Sequence, residues 1–353
     1  MMNSKIIGTG SYIPLKITKN NTFLNHSFLD TEGKKIQSKN DQIIDKFETI
    51  TGIKERKYVS SNLKSSDIAK EASINAIRSS SIDPETLDYI ILAHNIGDVT
   101  QGSNQIDAMP SLASRVKSKL GIKNPNCIAY DILFGCPGWL EGVIQANAFI
   151  KSGIANRCLV VGSETLSRVI DSNDRDGMIF ADGAGAVIIE STNKNDGVLS
   201  HKTVTYTNNG EIKYIYYGKS NNLISDQTKY IKMQGRKVYE FALSKVPNAM
   251  KECFDECGHD IKNLKKIFIH QANEKMDHAI IKRFYKLYDL KPPQDILPMN
   301  IELFGNSSTA TIPTLLDLVV TKNYNGHKIK KGDLILFASV GAGMNINAVS
   351  YQY

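Results

Sequence analysis

The sequence predicts an α/β protein built from two similar halves. Short apolar runs typical of buried strands alternate with longer segments whose apolar residues recur at helical spacing. This alternation favours right-handed βαβ units and a mostly parallel sheet. In each half one strand ends at a candidate catalytic residue, Cys136 in the first and His270 in the second. Because the ends of these strands would meet where two similar halves pack together, we expect both residues at one central site.

The spacing of apolar residues predicts where each element lies. In the first half the expected strands are 5–12, 87–93, 127–133, 157–162 and 184–190, and the expected helices are 65–79, 110–120 and 136–150. In the second half we expect strands 267–270 and 334–340 and helices 234–257, 276–288 and 308–322. Two segments lack periodicity and are interpreted as a functional loop, 94–109, and a surface insertion, 195–232.

The composition is that of a folded globular protein. The 353 residues are 41% hydrophobic and 22% charged, which argues against wholesale disorder. The N-terminus enters a strand-like run at once, and we expect neither a signal peptide nor a membrane span. Five cysteines without metal-ligand spacing argue against a zinc site and favour a reducing, cytoplasmic location.

The formal net charge of +7 is scattered along the chain. Short basic clusters such as Lys328, Lys330 and Lys331 are more typical of solvated faces than of a nucleic-acid groove, and we find no nucleic-acid-binding motif. A mildly basic surface suits an acidic protein partner.

The stretch around Cys136 predicts a strand, a tight glycine turn and a helix. Gly135 ends the apolar run, and Pro137 is suited to a first helical turn. A thiol at a helix start faces the positive end of the helix dipole, which favours the thiolate. The sulfur would project from a sharp bend, as the serine of a nucleophile elbow does. A lone cysteine is nevertheless more often a buried structural residue.

Two further motifs make the interpretation of Cys136 as a catalytic residue more specific. His270 lies in IFIHQAN and Asn306 in ELFGNSSTA, and each alone also suits a core or turn residue. Taken together, the chain resembles β-ketoacyl-acyl carrier protein synthase III, a family of the thiolase superfamily. The resemblance runs nearly end to end, through the motifs KIIGTGSYIP, TGIKER, FGCPG, LVVGSE, FADGAGA, HQAN, FGNSS and the terminal glycine loop.

The resemblance implies a thiolase-like fold with five layers, α-β-α-β-α. It implies two similar halves, 1–192 and 193–353, each with a mixed five-stranded sheet around a shared central site. The first half would carry the nucleophilic cysteine and the second the histidine and asparagine.

The same resemblance implies a Cys–His–Asn triad at Cys136, His270 and Asn306. Cys136 would accept an acyl group from a thioester. His270 and Asn306 would donate hydrogen bonds to the oxygen that becomes negative when a malonyl-like extender loses carbon dioxide. The backbone N–H groups of Cys136 and Gly341 would form a second oxyanion hole for the acyl-transfer step.

The resemblance also implies binding residues. Positions expected near the substrate or its carrier arm are Thr51, Arg175, Gly235, Asn273 and Lys275, the last of which replaces a family arginine that docks the carrier protein. Positions expected to shape the acyl pocket are Trp139, Met109 and Phe180. The implied partners are acyl carrier protein and an acyl thioester of coenzyme A or of the carrier protein. The family is typically a homodimer, with the loop 94–109 at the interface and no bound cofactor.

Some positions depart from the family pattern. Lys46 and Ile50 stand where members that use acetyl-CoA carry a tryptophan and an arginine enclosing the adenine. The loop after Ala93 is longer than in the family, and Pro137 and Trp139 follow the nucleophile. These departures affect the acyl-donor side, so we interpret the donor as a longer or carrier-bound acyl group.

Other interpretations stay open. The motifs GDVTQGSNQ and DILFGCPGW are similar to ketosynthases that condense and cyclise chains into dialkylresorcinol and flexirubin-type lipids. An inactive scaffold homologue is a second alternative, although the triad residues are all present. A hydroxymethylglutaryl-CoA synthase would need a glutamate base beside the cysteine, and Glu141 is expected on the helix instead.

Overall fold

The computed structural model describes residues 2–103, 105–224 and 228–353. The strands of the first half are β1 (Asn3–Tyr12), β2 (Lys16–Lys19), β3 (Glu55–Tyr58), β4 (Tyr89–Ala93), β5 (Asp98–Val99), β6 (Ile106–Asp107), β7 (Ile128–Ile132), β8 (Arg157–Thr165) and β9 (Asp182–Thr192). Its helices are α1 (Asn40–Thr51), α2 (Ser65–Ser80), α3 (Leu112–Leu120) and α4 (Gly138–Lys151).

The second half contains the remaining strands and helices. Its strands are β10 (Gly197–Thr205), β11 (Ile215–Lys219), β12 (Lys229–Met233), β13 (Leu264–Ile269), β14 (Leu334–Gly341) and β15 (Asn345–Gln352). Its helices are α5 (Gly235–Glu256), α6 (Glu274–Lys286), α7 (Ile301–Phe304) and α8 (Thr311–Lys322). The predicted elements are present, with ends shifted by a few residues. The expected boundary after residue 192 falls in the connection between β9 and β10.

Two mixed sheets form the framework. The first has the order β1-β9-β8-β4-β7, in which β4 is parallel to both of its neighbours and β9 is antiparallel to both of its own. The second has the order β10-β15-β14-β13, so among the described residues it has four strands instead of the expected five. The prediction of a mostly parallel sheet is wrong because β8–β9 and β14–β15 are joined without crossover helices, which is typical of antiparallel neighbours.

Helices cover both sheets and also separate them. Leu140 and Val143 of α4 pack with Leu315 and Leu316 of α8 in the core between the sheets. Helices α2 and α3 cover the outer face of the first sheet, and α5 and α6 cover the outer face of the second. The layers are therefore α-β-α-β-α, as expected. In the part of the chain that the structure describes, no helix is long and apolar enough to cross a membrane.

Gly162 of β8 sets how deeply the segment before α8 enters the molecule. A Cβ atom at this position would lie 2.2 Å from the carbonyl oxygen of Thr309, which is closer than non-bonded atoms tolerate. The absence of a side chain therefore lets residues 306–310 lie directly against the first sheet, beside the cysteine turn.

The hairpin β11–β12, within the segment expected to be a surface insertion, is anchored by a buried ion pair. Lys232 is 6% exposed, and its Nζ lies 2.6 Å from Asp171 Oδ2 and 3.0 Å from Asp174 Oδ2. It also donates to Asn221 Oδ1 at 2.8 Å. Since charges removed from water require close partners, these contacts hold β12 against residues 171–174.

We expect Lys232→Met to lower the free energy of unfolding by about 3 kcal/mol, because it leaves buried Asp171 without its counter-charge. Urea denaturation measures this loss. Lys229→Met, on the same strand but at an exposed position, is the matched control and should change stability by less than about 0.5 kcal/mol. Equal effects of the two substitutions would show that the ion pair does not anchor the hairpin.

Candidate active site

Cys136 lies in a sharp turn between β7 and α4. Gly135 has φ +66°, a left-handed conformation that glycine adopts without steric cost. A Cβ atom at Gly135 would lie 2.6 Å from both the backbone nitrogen and the carbonyl oxygen of Ala342. The strand, glycine turn and helix predicted around Cys136 are thus present, and the turn packs directly on the loop after β14.

The cysteine sulfur is largely enclosed. Ser308 Oγ donates a hydrogen bond to Cys136 Sγ at 3.2 Å. Burial raises the pKa of the Cys136 thiol to about 12, while the hydrogen bond from Ser308 acts in the opposite direction. The resting group at neutral pH is therefore the thiol. The expectation of a resting thiolate is wrong because desolvation outweighs the favourable position at the helix start.

His270 follows β13 and is fixed by its backbone, whose N–H donates to Ala338 O at 2.9 Å. The side chain is 3% exposed, and its Nδ1 atom has no hydrogen-bond partner among the described residues. Burial lowers the pKa of His270 to about 4. The imidazole is consequently neutral at physiological pH and can donate a hydrogen bond without being a strong acid.

Two backbone hydrogen bonds hold Asn306 in place. Its N–H donates to Ile179 O at 3.0 Å, and its carbonyl accepts from Ala181 N at 2.8 Å. The side-chain Oδ1 accepts from Ser308 N at 2.8 Å. With Oδ1 engaged in this way, the NH₂ group is the end of the amide available to a ligand.

These three side chains line one cavity of ≈ 210 Å³. Asn95 and Ser308 add polar groups beside them. The rest of the wall is largely apolar and includes Leu166, Phe180, Ile215, Ile231, Met233, Val238, Met276 and Val340. The structure therefore brings Cys136, His270 and Asn306 together at the junction of the two halves, next to a largely apolar space.

Gly341, expected to contribute a backbone donor, ends β14 against the cysteine. A Cβ atom there would lie 2.4 Å from the backbone nitrogen of Cys136. The backbone of the terminal glycine loop thus approaches the cysteine turn more closely than any residue with a side chain would allow. The two backbone N–H groups expected to form the second oxyanion hole belong to adjoining segments.

The residues expected near the substrate do not all lie at the cavity. Gly235 begins α5 two residues after Met233, which lines the cavity. The Arg175 side chain is 53% exposed and lies 3.9 Å from Asp176. Thr51 is buried at the end of α1, where its Oγ1 donates to Phe47 O at 2.8 Å. Thr51 does not line the cavity, and its hydroxyl is used to close the helix.

Asn273 and Lys275 lie at the start of α6. Asn273 caps the helix, its Oδ1 accepting from the backbone N–H of Met276 at 3.0 Å. Met276 lines the cavity, whereas the Lys275 side chain is exposed on the adjacent surface. The helix start therefore connects the cavity wall with the protein surface.

Of the three expected acyl-pocket residues, Phe180 lines the cavity. Trp139 does not, because α4 directs its ring into the core between the sheets. It is 1% exposed, donates to Val160 O at 3.3 Å and packs edge-on against Phe337. Met109 is 88% exposed and does not line the cavity of its own chain. The Trp139 prediction is wrong, since residue spacing from the nucleophile did not reveal the direction of the side chain.

Sequence reasoning missed Asn95, Glu164 and Ser308, which extend the polar side of the site. Ser308 and Glu164 lie within the FGNSS and LVVGSE motifs, so their motif membership was a usable signal. Asn95 lies in a loop without periodicity, and its sequence context gave no signal of a role in the site. Glu141, the base that another enzyme class would need, does not line this cavity and accepts from Asn347 Nδ2 of β15 at 2.9 Å.

The site lies between the halves of a five-layer fold and contains a cysteine at a strand-to-helix turn, a neutral histidine and an asparagine. These features define a thiolase-fold condensing enzyme. The family models described as 3-oxoacyl-[acyl-carrier-protein (ACP)] synthase III match residues 130–207 and, for its C-terminal part, residues 254–353.

Relatives that match this chain over nearly their whole length carry the same family name. The β-ketoacyl-[acyl-carrier-protein] synthase III of Caldanaerobacter subterraneus is 34% identical, over 96% of this chain and 94% of that protein. The Prochlorococcus marinus enzyme of the same name is 31% identical, over 98% and 95%. The crystal structure of 3-oxoacyl-[acyl-carrier-protein] synthase III from Aquifex aeolicus has a TM-score of 0.80 at 29% identity, over 99% and 100%. The chain belongs to the β-ketoacyl-[acyl-carrier-protein] synthase III family of acyltransferases, as its motifs predicted.

We expect the His270 imidazole to stay neutral when the pH is lowered from about 8 to about 5.5, because its folded-state pKa is about 4. An ordinary histidine protonates near pH 6.5, so exposed histidines serve as internal controls. NMR of protein labelled with ¹³C in its histidine rings measures this, and a His270→Gln variant assigns the signal. Titration of the His270 signal near pH 6.5 would contradict the assignment of a neutral donor.

Proposed function

We propose that the chain condenses an acyl thioester with a malonyl or related β-ketoacyl unit carried by acyl carrier protein, in fatty acid or related lipid synthesis. The main support is that Cys136, His270 and Asn306 line one cavity next to apolar side chains. A nucleophile and two neutral hydrogen-bond donors are the groups that a decarboxylating condensation needs.

In the first step Cys136 Sγ attacks the carbonyl carbon of the acyl thioester. The new S–C bond forms, the bond to the carrier sulfur breaks, and the departing thiolate receives the proton that the cysteine loses. The exchange requires no net proton uptake, which suits a thiol that burial keeps protonated. The backbone N–H groups of Cys136 and Gly341 are the proposed donors to the tetrahedral oxyanion.

In the second step a malonyl extender loses carbon dioxide, and the electrons of the broken C–C bond move onto the thioester oxygen of the enolate. His270 and the Asn306 NH₂ group donate to that oxygen. A neutral imidazole suits this role because an imidazolium would protonate the carbanion before it reacts. The carbanion then attacks the carbonyl carbon of the acyl-cysteine, a C–C bond forms and the C–S bond breaks. The released Cys136 thiolate takes up one proton from solvent, which regenerates the resting thiol.

The acyl donor is proposed to be longer than acetyl or bound to a carrier protein. An acetyl group would leave much of the ≈ 210 Å³ cavity unfilled, whereas each methylene placed against its apolar wall contributes roughly 0.8 kcal/mol. Lys46 and Ile50 of α1 supply no adenine sandwich, and Ile50 is 42% exposed. The binding energy of the donor therefore comes mainly from its acyl chain.

The carrier protein is proposed to dock beside the start of α6, where Lys275 is exposed. An acidic carrier surface would approach this lysine and Arg175, and the carrier arm would pass Asn273, Gly235 and Met233 into the cavity.

We further propose a homodimer formed along the free edge of β7. Strand β7 is the outer strand of the first sheet, and Ile128 and Leu133 at its ends are 47% and 70% exposed. A second copy paired there would cover these side chains and bring the loop with Met109 toward the partner cavity. The free cysteines suit a cytoplasmic location.

Intact-protein mass spectrometry after incubation with acyl thioesters of increasing length, on coenzyme A and on acyl carrier protein, tests the acyl-enzyme step. We expect an acyl adduct with longer or carrier-bound donors that is absent in Cys136→Ala and retained in the control Cys257→Ala. Acetyl loading from coenzyme A at the same rate would refute the proposed donor. Absence of every adduct would favour the scaffold alternative, and product formation only from a β-ketoacyl extender would favour the dialkylresorcinol-type reaction.

We expect Phe180→Ala to shift the preferred acyl chain toward longer or bulkier groups, because Phe180 lines the cavity. Trp139→Phe should destabilise the protein by about 1 to 3 kcal/mol and leave chain preference unchanged, because the indole packs between the sheets. Competition between donors of different length measures the preference. A length shift in Trp139→Phe without one in Phe180→Ala would reverse these assignments.

A further inference from the structure

A chain of hydrogen bonds leads from the cysteine sulfur to a buried carboxylate that the proposed reaction does not use. Ser308 Oγ donates to Cys136 Sγ at 3.2 Å. Asn95 Nδ2 donates to Ser308 Oγ at 2.8 Å and also to Glu164 Oε1. Glu164 is fully buried and accepts further hydrogen bonds from Thr309 Oγ1 at 3.2 Å and Asn95 N at 3.3 Å.

The carboxylate fixes the direction of every bond in this chain. A carboxylate only accepts, so the Asn95 amide must present its NH₂ group to Glu164. The second amide hydrogen then points to Ser308 Oγ and occupies an acceptor site of the hydroxyl. The hydroxyl hydrogen is left to point at Cys136 Sγ.

The Ser308 backbone supports the same conclusion. Its φ is +49°, in the left-handed region that costs a residue with a Cβ atom on the order of 1 to 2 kcal/mol. Gly162, which has no side chain, allows the adjoining Thr309 to lie against β8. The fold thus holds the serine hydroxyl beside the sulfur in spite of an unfavourable backbone conformation.

We propose that Asn95 and Glu164 are positioning residues that hold the Ser308 hydroxyl as a hydrogen-bond donor to the Cys136 sulfur. The donor stabilises the thiolate when it forms, both as the nucleophile and as the group released after C–C bond formation. No proton travels along the chain, because a primary amide does not relay protons without becoming an imidic acid. The inference rests on the proposed function only in taking Cys136 as the nucleophile.

The charge of Glu164 connects this arrangement to pH. Burial raises the pKa of Glu164 to about 7, and nearby His94 acts in the opposite direction. The other titratable groups that interact with the carboxyl are Cys136 and Tyr217. When Glu164 is protonated it no longer fixes the orientation of the Asn95 amide, so the donor to sulfur should weaken toward lower pH.

The test is the pH profile of Cys136 alkylation by iodoacetamide in the free enzyme, followed by mass spectrometry. Ser308→Gly removes the hydroxyl and suits the positive φ, and we expect alkylation at pH 8 to slow about tenfold, as expected when a hydrogen bond to an ion is lost. Asn95→Asp keeps the side-chain shape and should slow it similarly. The double variant should be no slower than the slower single variant, because both act through one hydroxyl.

Glu164→Gln should slow Cys136 alkylation at pH 8 less than Ser308→Gly does. It should also remove the inflection near pH 7 from the pH profile of alkylation. Ser307→Ala, the neighbouring serine outside the chain of bonds, is the matched control and should behave like the wild type. An unchanged profile in Ser308→Gly, or fully additive effects in the double variant, would overturn the proposal. Thermal melting verifies folding of each variant, and Asn95→Leu replaces Asn95→Asp if the latter unfolds. Because alkylation needs no thioester, its outcome is independent of whether the condensation itself occurs.

Discussion

The site depends on the close contact between two glycine-bearing turns, one from each half. Gly135 and Cys136 face Gly341 and Ala342 at distances that leave no room for a Cβ atom on either glycine. This contact brings the end of β14 to the start of α4 and places two backbone segments beside the cysteine sulfur. His270 is positioned by the same strand, since its backbone N–H donates to Ala338 O of β14, whereas Asn306 is held separately by Ile179 and Ala181.

Burial at this junction determines the protonation states of the two groups proposed to carry the chemistry. It raises the pKa of the Cys136 thiol and lowers that of His270, so both groups are neutral at rest. A preformed ion pair would attract water and offer an acidic proton to the enolate. Two neutral groups avoid both effects, and in the proposed mechanism the Ser308 hydroxyl, which donates to Cys136 Sγ, stabilises the thiolate only while it exists.

Local patterns predicted much of the fold, because apolar spacing reports which face of an element is buried. The turn at Cys136 and the positions of His270 and Asn306 at strand or helix ends were predictable from short motifs. Spacing does not report side-chain direction at a helix start, so Trp139 was assigned to the cavity although its ring lies between the sheets. Nor does it report desolvation, a property of the assembled site, so the thiol form of Cys136 was not foreseen.

The hairpin β11–β12 shows how an irregular segment acquires a function. Residues 195–232 lack helical periodicity and were interpreted as a surface insertion, yet Ile215 and Ile231 line the cavity together with Met233 at the end of β12. Lys232, between two of these residues, points to the opposite face and is held by Asp171 and Asp174. Alternation along one strand therefore places a buried ion pair behind an apolar wall. This part of the wall belongs to a hairpin that is separate from the two framework sheets, whereas Cys136, His270 and Asn306 lie at the ends of framework elements. Substitutions in the hairpin therefore alter the cavity without moving these three residues.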